Sequence, residues 1–354
     1  MIRLGIVGTG GMANAHANAY RLIKGVSVVA CADVDTARAA GFAARWKIPA
    51  AYGSHTEMLA NEALNAVSVV TPDSQHSKIV IDAIGKGCHV LCEKPLADSC
   101  DAAGKMVKAL KNRAVVGMVN FSCRDFSGFQ GMAAAIQEGK IGEIRHVEAQ
   151  YLQSWLVARS YGDWRKSPAL LWRLSKKHGS HGALGDLGSH LFDLLRVCVG
   201  EISEVSCRLG TFPKGEPGEQ VGEYKLDAND SAVASLVFAR GAMGQLSTTR
   251  WAAGNTNALS IAIYGTEGAT RFDLDRDPEA YSLIRGRMKL DKAEWTTVSC
   301  RPYPNTYERF IDSIVTGKSG YANFRDGMLS LELVEACLRS DRKKTWIRMP
   351  RVKD

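Results

Sequence analysis

Three short stretches of the sequence carry residues whose types and spacing suit chemistry. Gly8-Thr9-Gly10-Gly11-Met12-Ala13 fits the pattern G-x-G-x-x-G/A, directly after an apolar strand-like run and directly before a helical pattern. In that context Gly8 permits a tight turn, Gly10 lets the backbone approach a pyrophosphate, and Ala13 keeps helix and sheet close. Gly11 and Met12 complete the loop, and the helix that follows turns its unpaired N–H groups toward phosphates. Asp33 lies 20 positions after Ala13 and closes the run Val28 to Ala32. A carboxylate there accepts hydrogen bonds from ribose hydroxyls and repels a 2′-phosphate, which favours NAD over NADP. Arg38, five residues on, reads as a first-turn surface arginine. The second stretch is Glu93-Lys94-Pro95, a lysine just beyond a strand-like run with a proline to fix the turn. The third is the Gly-rich segment 182–190, in which Asp186 and His190 stand four apart on one helix face. A histidine one turn from an aspartate is suited to moving protons near neutral pH.

The elements that must position these residues follow from hydrophobic periodicity. Apolar runs at 4–7, 26–32, 66–70, 89–92 and 115–119 alternate with helical patterns at 12–23, 35–45, 56–60, 75–86 and 98–111. Continuous apolar strands alternating with helices specify βαβ units, a doubly wound parallel sheet covered on both faces. Ligands then bind at the carboxyl ends of the strands. From about residue 144 the rhythm changes to strand-like runs at 144–153, 205–210, 231–238, 242–249 and 259–264, several with period two. Tight turns between them indicate a mostly antiparallel open sheet. Helical patterns at 128–138, 182–198, 305–316 and 325–340 are expected to cover its other face. The α/β chain therefore divides into a Rossmann domain over 1–121 and an α/β domain over 122–354. The clearest loop is 213–223.

Composition bounds the remaining possibilities. The chain has 354 residues, 45% hydrophobic and 23% charged, with a net charge of +8. The positive excess sits between Arg165 and Lys177 and in the tail from Arg339 to Lys353, and no nucleic-acid-binding signature accompanies it. No apolar run is long enough to cross a bilayer, and the N-terminus lacks a signal-peptide plan, so a cytoplasmic enzyme is expected. Nine cysteines without Cys-x-x-Cys pairs, and eight histidines without ligand spacing, suggest neither a disulfide framework nor a metal site.

Taken together in order, the fingerprint, Thr71-Pro72-Asp73-Ser74-Gln75-His76, Glu93-Lys94-Pro95, Ile141-Gly142-Glu143-Ile144 and 185–193 resemble the Gfo/Idh/MocA oxidoreductases, the glucose–fructose oxidoreductase and inositol dehydrogenase group. The resemblance implies that Lys94, Asp186 and His190 are catalytic. It also implies that Thr71, Pro72, His76 and Glu93 belong to the cofactor site, and that Asn120 contacts cofactor or substrate. Tyr151 to Trp155 and Leu171-Trp172-Arg173 are similar to the sugar-dehydrogenase branch to which levoglucosan dehydrogenase belongs. In that branch Gln153, Trp155, Trp172 and Arg173 would hold a sugar, although both tryptophans also suit a core or an interface. The implied reaction is NAD-dependent oxidation of a secondary hydroxyl of a sugar, anhydrosugar, glycoside or cyclitol. Such a reaction needs a base for the hydroxyl proton while hydride leaves carbon. An imidazole, with an ordinary pKa of about 6.5, suits that task. His190 as base with Lys94 as partner, and the reverse, both stay open. A C=N or C=C reductase on the same scaffold, or an NAD- and sugar-sensing protein without turnover, is the alternative. An open sheet in the second domain favours a homodimer or homotetramer.

Overall fold

The computed structural model describes residues 1–318 and 321–350. The end of the basic tail, including Arg351 and Lys353, lies outside the described residues. The chain forms two compact units: one comprises Met1–Ser122 with Pro304–Leu331, the other Cys123–Tyr303 with the chain from Glu332 on.

The first unit alternates strands and helices as the periodicity requires: β1 (Ile2–Val7), α1 (Ala13–Leu22), β2 (Val26–Ala32), α2 (Thr36–Trp46), β3 (Ala50–Tyr52), α3 (His55–Asn61), β4 (Ala66–Val69), α4 (Asp73–Gly85), β5 (His89–Cys92), α5 (Cys100–Leu110) and β6 (Gly117–Val119). The short β3 escapes the sequence pattern, because three half-exposed residues give no periodicity. All six strands pair in parallel in the order β3-β2-β1-β4-β5-β6. The order reverses between β1 and β4, and such a switch point is where α/β sheets bind ligands.

The second unit contains α6 (Ser127–Gln137), β7 (Ile144–Gln153), α7 (Pro168–Leu171), α8 (Ser189–Val199), β8 (Ile202–Gly210), β9 (Gln220–Val221), β10 (Tyr224–Lys225), β11 (Ser231–Phe238), β12 (Met243–Thr249), β13 (Asn257–Gly265), β14 (Gly268–Asp273), β15 (Ala280–Arg285), α9 (Arg287–Lys292) and β16 (Thr296–Ser299). After α10 (Thr306–Thr316) and α11 (Phe324–Lys343), β17 (Ile347–Arg348) completes a nine-stranded sheet of order β16-β15-β14-β13-β7-β12-β11-β8-β17. Every neighbouring pair is antiparallel except β7 with β12. Alternation decides its faces: Ala232, Ala234, Leu236 and Phe238 of β11 are buried, while Val233 and Ser235 are exposed. The buried side packs on Phe129 and Met132 of α6 and on Leu191, Leu194 and Leu195 of α8.

One packing expectation fails. Helix α10 does not cover the second sheet; its Phe310 and Ile311 pack against Ala13, Ala17 and Tyr20 of α1 in the first unit. Amphipathic patterning gives a helix an apolar face without saying which apolar surface it meets. Helix α11 is likewise divided, with Leu331 in a first-unit core and Leu333 and Val334 in the second. The expected loop at 213–223 also holds a short turn and β9, and Lys214 within it forms a fully buried ion pair with Asp230 at 2.9 Å.

Candidate active site

In the first unit, residues expected to handle a cofactor each follow the carboxyl end of a different strand. Gly8 follows β1, Asp33 follows β2, Thr71 lies just beyond β4, Glu93 and Lys94 follow β5, and Asn120 follows β6. Gly8 has φ of 89°, and a Cβ there would stand 2.6 Å from the Val70 carbonyl oxygen, so glycine is required by the protein itself. Gly10 and Gly11 differ: a Cβ at either would meet no protein atom within 4 Å. Their smallness is therefore suited to something outside the fold, as close approach of a pyrophosphate requires. Two buried polar atoms at the strand ends, Thr71 Oγ1 and Asn120 Oδ1, find no hydrogen-bond partner among the described residues. Together these features fit a bound dinucleotide.

Asp33 is more tightly held than its sequence context suggests. Its Oδ2 accepts from the Thr9 N–H at 2.8 Å, the Thr9 hydroxyl at 2.9 Å and Arg38 Nε at 3.1 Å. Its Oδ1 accepts from the Asp35 N–H at 3.0 Å and from the Arg38 guanidinium at 2.6 Å. Burial alone would raise the carboxyl pKa, but these donors outweigh it and bring it down to about 2. Arg38 is thus not an idle surface arginine, because the first turn of α2 brings its side chain back onto the end of β2.

Beneath Lys94 lies a buried polar network. Glu93 Oε1 accepts from His16 Nε2 at 2.8 Å and from the Asn120 amide at 2.6 Å, and the Lys94 N–H donates to Glu93 Oε2 at 3.2 Å. Burial disfavours the Glu93 carboxylate, yet His16, Asn120 and the Lys94 charge bring its pKa down to about 2. His76 is buried with Nδ1 3.0 Å from the Pro95 carbonyl oxygen and Nε2 2.9 Å from that of Thr71. It therefore braces the Thr71 turn against the Lys94-Pro95 turn, and Glu93 holds Lys94 and Asn120. Both residues, expected in the cofactor site, are bonded to the residues expected around it. Met12 is exposed beside the glycine loop.

In the second unit, Asp186 lies in a π-helical turn, 184–188, that runs directly into α8. The single α-helix expected over 182–198 is thus replaced by a wider turn, a feature often found at functional sites. Asn229 holds its start: its carbonyl accepts the Ala183 N–H at 2.8 Å and its side chain the Leu184 N–H at 3.0 Å. Gly182, with φ of 68°, lets Asn229 approach that closely, since a Cβ would stand 2.4 Å from it. His190 follows in the first turn of α8, 5% exposed, with its ring centroid 6.1 Å from that of Tyr151. Three residues further, Asp193 makes a buried ion pair with Arg124 at 2.7 and 2.5 Å, which fixes the helix.

Asp186 Oδ2 lies 3.5 Å from Arg173 Nε and 3.3 Å from an Arg250 guanidinium nitrogen. Arg250 is fully buried, donates to the Arg173 carbonyl at 2.9 Å, and stacks over Trp155 at 5.0 Å. Desolvation lowers its pKa, and the Asp186 carboxylate opposes that. Sequence reading missed Arg250; the only signal was a charged residue closing the alternating strand β12. It also missed His16, which occupies the buried stripe Ala13, His16, Ala17, Tyr20 of α1. Trp155 is corrected from a sugar platform to a core residue, 2% exposed among Leu156, Trp164 and Leu174. Gln153 is spent within the protein, accepting from Trp155 Nε1 at 2.9 Å and donating to Asn257 at 2.7 Å. Trp172 is half-buried with Arg173 stacked over it at 4.7 Å. Lys94 belongs to the first unit, and Asp186 and His190 to the second.

A six-stranded Rossmann sheet with this glycine loop, and a second unit built on a large open sheet, define an NAD-binding oxidoreductase. Residues 2–121 match the family model described as oxidoreductase family, NAD-binding Rossmann fold, and residues 133–349 match its C-terminal alpha/beta domain. The chain belongs to the Gfo/Idh/MocA family. It is 28% identical to the levoglucosan dehydrogenase of Pseudarthrobacter phenanthrenivorans, covering 99% of both chains. A solved levoglucosan dehydrogenase in complex with NADH and L-sorbose superimposes with a TM-score of 0.88 at 28% identity, again over 99% of each chain. The Thermotoga maritima myo-inositol 2-dehydrogenase is 24% identical over 99% of both chains. Among the described residues no helix is long and apolar enough to cross a membrane.

Proposed function

We propose that this protein oxidises a secondary hydroxyl of a sugar, anhydrosugar, glycoside or cyclitol to a ketone, with Lys94, Asp186 and His190 as its catalytic residues. The observation that carries the reading is Lys94 itself. It is an ammonium-bearing residue just beyond the carboxyl end of β5, its backbone N–H bonded to the buried Glu93 carboxylate, beside the switch point of a dinucleotide-binding sheet. NAD, when bound, supplies the hydride acceptor. The protein must then take the hydroxyl proton and hold the oxygen where charge develops. In this reading His190 accepts that proton, because its ordinary range is close to neutral pH. Lys94 donates a hydrogen bond to the hydroxyl oxygen as it becomes negative. Asp186, anchored by Arg173 and Arg250, accepts from a neighbouring hydroxyl and orients the ring. Relatives named as levoglucosan, myo-inositol 2- and glucose-6-phosphate 3-dehydrogenases support a polyol substrate.

The test is an absorbance assay for NADH with NAD and a panel of monosaccharides, anhydrosugars, glycosides and inositols. At least one member should give turnover, and His190→Asn should lower kcat by about 10²- to 10⁴-fold. Lys94→Met should do the same. Failure of the whole panel, or a His190→Asn variant with wild-type turnover, would overturn this assignment.

A further inference from the structure

His16 has no part in the reaction above, yet it is completely buried and saturated with polar partners. Its Nδ1 lies 2.7 Å from the Ser68 hydroxyl at β4, and its Nε2 lies 2.8 Å from Glu93 beyond β5. Glu93, whose pKa these partners bring down to about 2, is a carboxylate at neutral pH and only accepts, so His16 Nε2 carries the proton of that bond. One residue of α1 thus joins the helix whose N-terminus faces the phosphates to the strand ends that carry Thr71 and Lys94.

The consequence reaches Asn120. Its side-chain amide donates to Glu93 Oε1 at 2.6 Å and to the Tyr307 hydroxyl at 3.2 Å, which occupies both amide hydrogens. The amide cannot flip without placing its oxygen against an anion. Asn120 Oδ1, in a residue only 2% exposed, is left as an acceptor with no partner among the described residues. A buried acceptor without a donor costs on the order of 1–3 kcal/mol. A ligand N–H arriving at the end of β6 removes that cost.

We propose that His16 is a positioning residue for the nicotinamide end of the cofactor: by holding Glu93 it fixes the Lys94 backbone and the Asn120 amide, and leaves Asn120 Oδ1 as acceptor for the nicotinamide carboxamide. The inference rests on the family's NAD site, and its test needs no turnover, so failure of the polyol screen leaves it standing or falling separately. NADH and ADP-ribose, which lacks the nicotinamide, are titrated into the wild-type protein, His16→Leu, His16→Gln and Glu93→Gln. His16→Leu and Glu93→Gln should each weaken NADH about 10-fold, the scale of one well-made hydrogen bond. ADP-ribose should change less than about twofold, because no adenosine contact is touched. His16→Gln returns an N–H donor toward Glu93 and should bring NADH to within about threefold of wild type. The His16→Leu/Glu93→Gln double variant should bind NADH no more weakly than the worse single one, since both break one chain of bonds. Parallel weakening of NADH and ADP-ribose would reduce His16 to a packing residue and overturn the proposal. So would unchanged NADH binding, or full additivity in the double variant.

Discussion

Two roles are predicted for the Asp33 carboxylate, and both can be tested at the level of the residue. Five donors from Thr9, Asp35 and Arg38 already surround it, so a ribose diol gains a bond to Asp33 only by displacing one of them. Arg38 is the one that can leave, since its side chain is half exposed. Replacing Asp33 with serine removes the repulsion toward a 2′-phosphate and frees Arg38 to meet it. The ratio of kcat/KM for NAD over NADP should then fall by about 100-fold, the scale of relieving one like-charge repulsion and forming one ion pair. An unchanged ratio would show that Asp33 does not set cofactor choice. The second role is stability. The folded-state pKa of about 2 lies below the ordinary carboxylate value, so the folded protein binds this proton less readily than the unfolded chain. The stabilisation is fully present above about pH 4, amounts to roughly 2 kcal/mol after solvent screening, and is lost as pH falls toward 2. Asp33→Asn should accordingly be less stable than wild type at pH 7, with the difference vanishing near pH 2 in denaturant titrations. A gap independent of pH would point to packing instead of charge.

Among the elements, strand ends are legible in the sequence and side-chain supports are not. Apolar runs fix where β1, β2, β4, β5 and β6 stop, so residue order alone places Gly8, Asp33, Lys94 and Asn120 on one edge of the sheet. The alternation of β7 and β11 is visible in the same way, because period-two burial writes itself into residue types. What holds the site residues comes from contacts between distant segments. His16 is 77 residues from Glu93, and Arg250 is 64 from Asp186. No local pattern encodes such a pair, and tryptophan in a Gln-x-Trp context reads alike whether it stacks on a sugar or fills a core. The π-helical turn is hidden for a related reason: widening a helix by one residue depends on Asn229 and Gly182, neither of which lies in the turn. Gly182→Ala forces a Cβ into Asn229 at positive φ and should cost roughly 1–3 kcal/mol of stability. Arg250→Met keeps the bulk over Trp155 but strips Asp186 of its buried partner, and should cost about 3 kcal/mol by thermal or chemical denaturation. It should also raise KM for the polyol. An Arg250→Met protein with wild-type stability would contradict the buried pairing.

At the scale of the whole molecule, the open face of the nine-stranded sheet is the surface on which we predict that copies of the chain meet. Eight spacings of about 4.8 Å make the sheet about 40 Å wide, and strands of about seven residues make it about 20 Å tall. The product, about 800 Å², is what each partner contributes to a stable interface. Its residues suit contact more than solvation alone: Val233 is 57% exposed and Met243 58%, amid the uncharged polar side chains Ser235 and Gln245. Its charged side chains are few and spread out: Glu148 on the central strand β7, Arg208 on β8 beside Val233, and Arg271 on β14. A solvated antiparallel face normally alternates toward lysine and glutamate, which keep edges and faces from associating. Two such faces related by a twofold axis would bury Val233 against its own copy or a neighbouring strand, as a self-complementary contact requires. Light scattering during size exclusion should therefore give a dimer or tetramer at micromolar concentration. Val233→Lys should shift that mass downward, because each copy would carry an ammonium group into the interface beside Arg208. The far-ultraviolet circular dichroism should not change, since Val233 lies on the side of β11 away from the core. A wild-type protein that is monomeric at tens of micromolar would leave the face to water and remove this explanation for its composition.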